Sequence, residues 1–178
     1  MTLWLSAEQA QAIIAHARKD APREACGLIA GRNGERAREI IPLANSADDP
    51  VHQYHMDDVA LVKAFVSVEA RGLEVVGFYH SHPEGEPIPS RTDIQQATYP
   101  DTPYLIVGLR GGAKLAAWRM RAGQVDEVPL HIGNEHPPEQ TNAASSGAQK
   151  TAILISAVIA FILLIVVSLS LLPPAPAH

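Results

Sequence analysis

The chain is organised around residues 73–93, which have the sequence LEVVGFYHSHPEGEPIPSRTD. Residues 73–79 are rich in β-branched and aromatic side chains and predict a strand that leads into His80 and His82. Side chains alternate along a strand, so the two imidazoles point to the same side. A loop that returns Asp93 to them completes a set of two nitrogen ligands and one oxygen ligand. Catalytic zinc sites use such a set, with three protein ligands and an open fourth position.

The loop between these ligands is stiffened by Pro83, Pro87 and Pro89, which fix backbone angles and lower the entropy cost of holding Asp93 near the histidines. A hydrolytic site also needs a base for the proton of the attacking water and a donor for the oxyanion. Ser90 lies shortly before Asp93 and is the best-placed donor. The base must come from elsewhere in the chain.

Several of these residues also have simpler interpretations. The segment from Ser90 to Asp93 is a capping-box-like helix start, so Ser90 can serve as a helix cap as well as a donor. Cys26 lies on an apolar strand and is interpreted as a buried small hydrophobe, with a Cys-His nucleophilic pair as the alternative. His52 and His55 precede a predicted helix and either orient groups near the cleft or face solvent.

Length and charge limit the class of protein. The chain has 178 residues, enough for one domain with a substantial core but not for two. A formal net charge of −5 without a block of basic residues argues against nucleic-acid binding. The single cysteine excludes an intramolecular disulfide framework and fits a reducing compartment. The first residues include no basic segment before an apolar run, so no signal peptide is predicted.

The C-terminal part of the sequence predicts a membrane anchor. Residues 151–172 contain no charged residue, glycine or proline. As a helix they are roughly 33 Å long, enough for a hydrocarbon core of about 30 Å. A buried core helix is the alternative, but such helices are amphipathic or shorter. Residues 133–150 are predicted to be a flexible linker and residues 173–178 a short tail. Lys150 and the lack of a signal peptide predict a tail-anchored protein whose catalytic domain is cytoplasmic.

The other patterns predict an α/β fold with a mixed sheet flanked by helices, and not a doubly wound parallel sheet. Helix signals and strand signals alternate irregularly along the chain. Helices are expected at residues 6–19, 57–72 and 90–98, strands at 25–30, 36–43, 73–79, 104–109, 114–120 and 125–131, and a hairpin turn at Asn33-Gly34.

The chain resembles the JAMM (MPN-plus) metalloprotease family, and most of all its compact prokaryotic members. The resemblance covers residues 3–132 and implies a JAMM/MPN-like metallopeptidase domain over residues 1–132. It is carried by Glu24, then Cys26-Gly27-Leu28, then His80-x-His82, seven residues, Ser90, two residues and Asp93.

The resemblance implies a role for each of these polar residues. His80, His82 and Asp93 bind one Zn²⁺ per chain, Glu24 is the general base for a metal-activated water, and Ser90 stabilises the oxyanion. The family cleaves bonds after the C-terminal glycine of ubiquitin-like proteins. The expected partner is therefore a ubiquitin-like or sulfur-carrier protein with a Gly-Gly C-terminus. The alternative is a catalytically silent, membrane-anchored scaffold that binds ubiquitin-like tails.

Overall fold

The computed structural model describes residues 2–32 and 36–133. Several predicted features lie outside the described residues: the membrane helix, the tail, the turn at Asn33-Gly34 and all of the linker except Gly133. Within the described ranges, no helix is long and apolar enough to cross a membrane. The elements in chain order are β1 (Leu3–Leu5), α1 (Ala7–Asp20), β2 (Cys26–Gly31), β3 (Ala37–Leu43), α2 (Asp58–Ala70), β4 (Glu74–His82), α3 (Arg91–Gln96), β5 (Tyr104–Gly108), β6 (Lys114–Arg121), β7 (Gln124–Val128) and β8 (Leu130–Ile132).

A six-stranded sheet in the order β3-β2-β4-β5-β6-β7 forms the centre of the domain. Strands β4 and β5 run parallel, whereas the other neighbouring pairs in this sheet are antiparallel. A separate ladder pairs β1 with β8 in parallel. The predicted α/β class with a mixed sheet is confirmed.

Helices cover both faces of the sheet, and the alternation of side chains gives each face its own core. Helix α1 packs Ile13 and Ala17 against the face that carries Tyr79. Helices α2 and α3 cover the opposite face, which carries Phe78. Residues 78, 80 and 82 of β4 share a face because side chains alternate with period two. The two histidines therefore lie on the side of α2 and α3.

The elements differ from the prediction in three informative places. The strand expected at residues 125–131 is divided into β7 and β8 at Pro129, which has no backbone N–H. The carbonyl of Pro129 instead accepts from the N–H of Leu3 at 2.9 Å, at the start of the β1–β8 ladder. Strand β1 was not predicted, since three residues carry little periodicity and its partner lies at the far end of the domain. Strand β4 continues to His82 instead of ending at residue 79.

Candidate metal centre

Three side chains converge at the end of β4. The Nε2 atoms of His80 and His82 are 3.1 Å apart. One carboxylate oxygen of Asp93 lies 3.4 Å from Nε2 of His80, and the other lies 3.2 Å from Nε2 of His82. His80 is fully buried and Asp93 is 5 % exposed. The structure thus brings together the three residues that the sequence predicts as metal ligands.

The start of α3 places the carboxylate. Ser90 is the N-cap of this helix, and its hydroxyl oxygen accepts from the N–H of Asp93 at 3.1 Å. In return, Oδ2 of Asp93 accepts from the N–H of Ser90 at 2.7 Å. This reciprocal capping box fixes the rotamer of Asp93 with the carboxylate facing the histidines. The capping interpretation is therefore correct, and it acts together with the convergence of the ligands. The hydroxyl hydrogen of Ser90 is not used in either bond.

The loop after β4 orients His82. Nδ1 of His82 donates to the carbonyl of Glu86 at 3.1 Å, because a carbonyl can only accept. In the neutral imidazole the lone pair is then on Nε2, which faces the other two ligands. The indole N–H of Trp118 donates to the neighbouring carbonyl of Pro87 at 2.7 Å and fastens the loop to β6. Gly108 lies beneath the same turn, where an added Cβ would stand 2.6 Å from the nitrogen of Pro87.

An aromatic ring covers His80. The ring of Tyr54 stacks on the imidazole with centroids 4.3 Å apart and an interplanar angle of 20°. Nδ1 of His80 is buried and has no hydrogen-bond partner in the part of the chain that the structure describes. The imidazole is therefore held by the stacked ring of Tyr54 on one face and by the contact of its Nε2 with Asp93.

The pKa values of His80, His82 and Asp93 depend on one another and on burial. Burial lowers the pKa of His80, and the hydrogen bond with Asp93 offsets only part of this effect. For His82 burial acts in the same direction, but the interactions with Asp93 outweigh it and the net pKa is raised. Burial favours protonation of Asp93, yet its close contacts with the Nε2 atoms of both imidazoles hold the pKa of that carboxyl well below its usual range. The carboxylate is therefore ionised at neutral pH and ready to bind a cation.

The donor set fits a divalent transition metal. In a tetrahedral site with bonds of about 2.0–2.1 Å, ligand atoms lie about 3.3 Å apart. The two Nε2 atoms are 3.1 Å apart, and each has one of the two Asp93 oxygens at 3.4 or 3.2 Å, so each of these contacts is close to this value. Without a cation, two imidazole nitrogens face each other in a buried space. A cation bound by His80, His82 and Asp93 would satisfy both nitrogen lone pairs and the carboxylate together.

Glu24 lies beside this group, directly before β2. Its side chain is buried, with 6 % of the residue exposed, and Oε2 has no hydrogen-bond partner among residues 2–32 and 36–133. Burial raises the pKa of this carboxyl to about 7, which the positive charge of His82 partly opposes and the negative charge of Asp93 reinforces. A carboxyl with a pKa near neutrality can both take up and release a proton at physiological pH. Such tuned carboxyls are typical of catalytic sites.

The other candidate residues, Cys26, His52 and His55, do not belong to the candidate metal site. Cys26 is fully buried, its thiol donates weakly to the carbonyl of Leu43, and burial raises the pKa of the thiol to about 12. This thiol stays protonated, so the structure favours the buried-hydrophobe interpretation over a nucleophile. His52 and His55 face solvent and contact Asp49 and Asp58 on the surface.

Sequence reasoning missed Tyr54, Trp118 and Asn45. Asn45 is buried and bonds to the backbone of Glu24, as described below. Their contacts join segments that are far apart in sequence, and none belongs to a spaced motif. The only local signal was the position of Tyr54 between His52 and His55.

The mixed sheet and the ligand triad beside a buried glutamate define a hydrolase of the metallopeptidase class. The chain belongs to the family described as prokaryotic homologs of the JAB domain, whose model matches residues 6–121. The resemblance to the JAMM family and the predicted enzyme class, a JAMM-type metallopeptidase, are thereby confirmed.

Named relatives agree with this assignment. The chain is 36 % identical over 137 residues to the CysO-cysteine peptidase of Mycobacterium tuberculosis, covering 75 % of this chain and 93 % of that protein. It is 37 % identical over 121 residues to the desampylase of Haloferax volcanii, covering 65 % of this chain and 87 % of the other. It is 41 % identical over 118 residues to a probable TtuB-protein conjugate cleaving protease of Thermus thermophilus, covering 66 % and 74 %.

Solved structures show the same fold. The solution structure of a protein from Desulfitobacterium hafniense is 29 % identical, has a TM-score of 0.68 and covers 75 % of this chain and 94 % of that one. A JAB1/MPN domain protein from Archaeoglobus fulgidus is 19 % identical with a TM-score of 0.50, covering 74 % and 97 %. At this identity the second likeness supports the fold alone.

Proposed function

We propose that this protein is a zinc-dependent peptidase or isopeptidase that cleaves after the C-terminal glycine of a ubiquitin-like or sulfur-carrier protein. The observation that carries the proposal is the convergence of His80, His82 and Asp93 within 3.4 Å beside the buried carboxyl of Glu24. Two neutral nitrogen ligands and one carboxylate form the three-residue set that catalytic zinc sites use. When bound there, zinc supplies Lewis acidity that lowers the pKa of a water and polarises a carbonyl.

Glu24 is the general base in this proposal. Its carboxyl takes the proton of the attacking water and passes it to the leaving amine, so the group ends the cycle in its starting state. Burial raises the pKa of this carboxyl to about 7 in the metal-free chain, and a bound cation lowers it, so the carboxyl is ionised and able to accept a proton at neutral pH. The side chain has no hydrogen-bond partner within the described ranges that would compete for the proton at Oε2.

Ser90 stabilises the oxyanion in this proposal. Its Oγ already accepts from the N–H of Asp93, which directs the hydroxyl hydrogen away from the helix. That hydrogen can be donated to the developing negative charge on the carbonyl oxygen of the substrate. Removing one such donor typically lowers turnover by about 10²–10³.

The substrate class comes from the relatives. Their names describe cleavage of CysO-cysteine and of a TtuB-protein conjugate, and desampylase activity. We carry over to this chain the feature that these substrates share with the family expectation, a small protein modifier joined through its C-terminus. A Gly-Gly end has no side chains and suits a site in which His80 and Asp93 are buried and His82 is only partly exposed.

The test is cleavage of a ubiquitin-like protein fused through its Gly-Gly terminus to a reporter, with the zinc content measured on the same sample. We expect one zinc per chain, loss of cleavage with a chelator and recovery when zinc is restored. Glu24→Gln should keep zinc and lose cleavage, whereas His80→Ala or Asp93→Ala should lose both. The matched control is Glu69→Gln, because Glu69 is exposed near the end of α2. Normal turnover by Glu24→Gln would contradict the base assignment.

We also propose that residues 151–172 anchor the chain in a membrane, with the catalytic domain on the cytoplasmic side. The support is the run of apolar residues without charge, glycine or proline. Fractionation of cells that express the full chain or residues 1–150 tests this proposal. The full chain is expected in the carbonate-resistant membrane fraction and the shorter one in the supernatant. Equal distribution of the two would contradict the anchor.

A further inference from the structure

One buried amide side chain connects several segments around the site. Asn45 lies just after β3, is 8 % exposed, and uses both ends of its amide. Oδ1 accepts from the N–H groups of Ala47 and His55 at 3.0 and 3.1 Å. Nδ2 lies 2.9 Å from the carbonyl of Glu24, 3.1 Å from that of Gln53 and 3.3 Å from that of Pro50.

These bonds tie the backbone of Glu24 to the segment 45–56. The carbonyl of Glu24 accepts from Asn45, and the N–H of Glu24 donates to the carbonyl of Pro50 at 2.7 Å. Both backbone groups of Glu24 are therefore held by the same segment. Because Oε2 of the side chain has no partner in the described structure, the placement of the carboxyl depends on the backbone that carries it.

The same amide holds the ring that covers a ligand. Asn45 bonds to the carbonyl of Gln53 and to the N–H of His55, the residues on either side of Tyr54. The ring of Tyr54 stacks on the imidazole of His80 at 4.3 Å. Asn45 thus contacts the backbone on both sides of Tyr54 and the backbone of Glu24, although it touches no ligand itself.

A purely local role explains only part of this pattern. The bond from the N–H of Ala47 to Oδ1 closes an Asx turn, which asparagine often forms in loops. Serine can close the equivalent turn with its shorter side chain. The donation to Glu24, across 21 residues of sequence, is not needed for that turn. A buried amide with so many partners is costly to lose, because each carbonyl left without a donor destabilises the folded state.

We propose that Asn45 is a positioning residue that fixes the backbone of Glu24 and holds Tyr54 against His80. The proposal rests on the proposed function, because Glu24 is the base there. Small displacements of a catalytic group cost turnover out of proportion to their effect on binding. Asn45 therefore acts on the catalytic step through Glu24, and its loss should lower kcat with little change in KM.

Asn45→Ser separates the local turn from the long-range contact. Serine keeps an acceptor for Ala47 but is too short to reach the carbonyl of Glu24. For the full chain loaded with zinc, we expect kcat on the Gly-Gly fusion to fall by about 10- to 100-fold, with KM within about twofold and zinc still bound. Gln9→Ala is the matched control, because Gln9 also donates a side-chain amide to a distant carbonyl, that of Ala37. Its kcat should stay at the wild-type value.

A double variant shows whether the effect passes through Glu24. In a Glu24→Gln background, adding Asn45→Ser should change the residual rate by less than about twofold, since the group being positioned is already gone. An undiminished effect in that background, or wild-type kcat for Asn45→Ser alone, would overturn the proposal. If Asn45→Ser does not fold, Arg23→Ala replaces it, because the guanidinium of Arg23 supports the carbonyl of Asn45 from the surface at 3.1 Å. Arg23→Ala should then lower kcat when it is the only substitution and should change the residual rate by less than about twofold in the Glu24→Gln background.

Hydrogen exchange tests the positioning without any activity. In Asn45→Ser the amides of Glu24 and His55 should exchange at least about tenfold faster, while those in the centre of β4 keep their protection. Unchanged exchange at Glu24, or faster exchange throughout the sheet, would refute a specific positioning role. Absence of cleavage by the wild-type chain would instead refute the proposed function, and the exchange result would still decide the role of Asn45 in the structure.

Discussion

Glu24→Gln should change the pH dependence of stability in the metal-free protein. Burial raises the pKa of the Glu24 carboxyl from 4.5 to about 7 in the folded state. The unfolded chain releases this proton near pH 4.5, whereas the folded chain keeps it until about pH 7. The folded state therefore binds more protons in this interval, and the free energy of unfolding of the wild type falls as pH rises. Glutamine carries no such proton, so the variant lacks this decline.

The size of the effect follows from the two pKa values. The full difference between 4.5 and about 7 corresponds to about 3.4 kcal/mol, at about 1.36 kcal/mol for each pH unit. About 0.8 kcal/mol of this is already lost at pH 5, and nearly all of it is lost at pH 8. The wild type should therefore lose about 2.5 kcal/mol more than Glu24→Gln between pH 5 and pH 8. A constant offset between the two proteins from the amide itself cancels in this comparison.

Denaturant unfolding of the full chain in mild detergent with a chelator measures this difference at both pH values. The chelator is needed because a cation beside Glu24 would favour the charged carboxylate and lower its pKa. Glu69→Gln is the control, since this exposed side chain should give a curve parallel to the wild type. Parallel curves for the wild type and Glu24→Gln would show that the carboxyl is not held protonated by burial, and the reasoning about the base would fail.

Three further variants probe the surroundings of the site. Ser90→Ala should lower kcat by about 10²–10³ through loss of the oxyanion donor, as measured by kinetics. It should also lower the free energy of unfolding by about 1 kcal/mol through loss of the helix cap, as measured by denaturant unfolding. An unchanged kcat would exclude the donor role. Tyr54→Ala should raise the zinc Kd in a competition titration by freeing the imidazole of His80, whereas Tyr54→Phe, which keeps the stacking ring, should not; equal affinities would show that the stack is unimportant. Gly108→Ala should displace the loop at Pro87 and weaken zinc binding, because the new Cβ would stand 2.6 Å from a backbone nitrogen, and unaltered zinc affinity would mean that the loop adjusts without moving the ligands.

The candidate metal ligands could be predicted from the sequence because their geometry is local. Two residues on one strand share a face whatever the rest of the chain does. The helix start from Ser90 to Asp93 also forms within four consecutive residues, and the structure shows both halves of its capping box. Features of this kind depend on backbone periodicity and not on tertiary packing.

The residues that support the site, Asn45 and Trp118, could not be predicted from the sequence because tertiary contacts define their roles. The bond between Asn45 and the carbonyl of Glu24 crosses 21 residues, and the bond between Trp118 and the carbonyl of Pro87 crosses 31. The acceptor in each case is a backbone carbonyl, which every residue has, so the sequence of the acceptor gives no signal. The division of the predicted strand at Pro129 could have been anticipated from the sequence, since proline has no backbone N–H and disfavours a continuous strand.

The capping box at the start of α3 has a consequence for what can stand at position 93. One oxygen of Asp93 accepts from the backbone of Ser90 while the other faces His80. Glutamate at this position would keep the negative charge but would displace the carboxylate by the length of a methylene. Asparagine would keep the shape but would lose the negative charge. Because α3 has only six residues, its formation depends strongly on this cap. Asp93 thus has to cap α3 and also to present a negatively charged oxygen to the histidines. A substitution that meets one of these requirements fails the other.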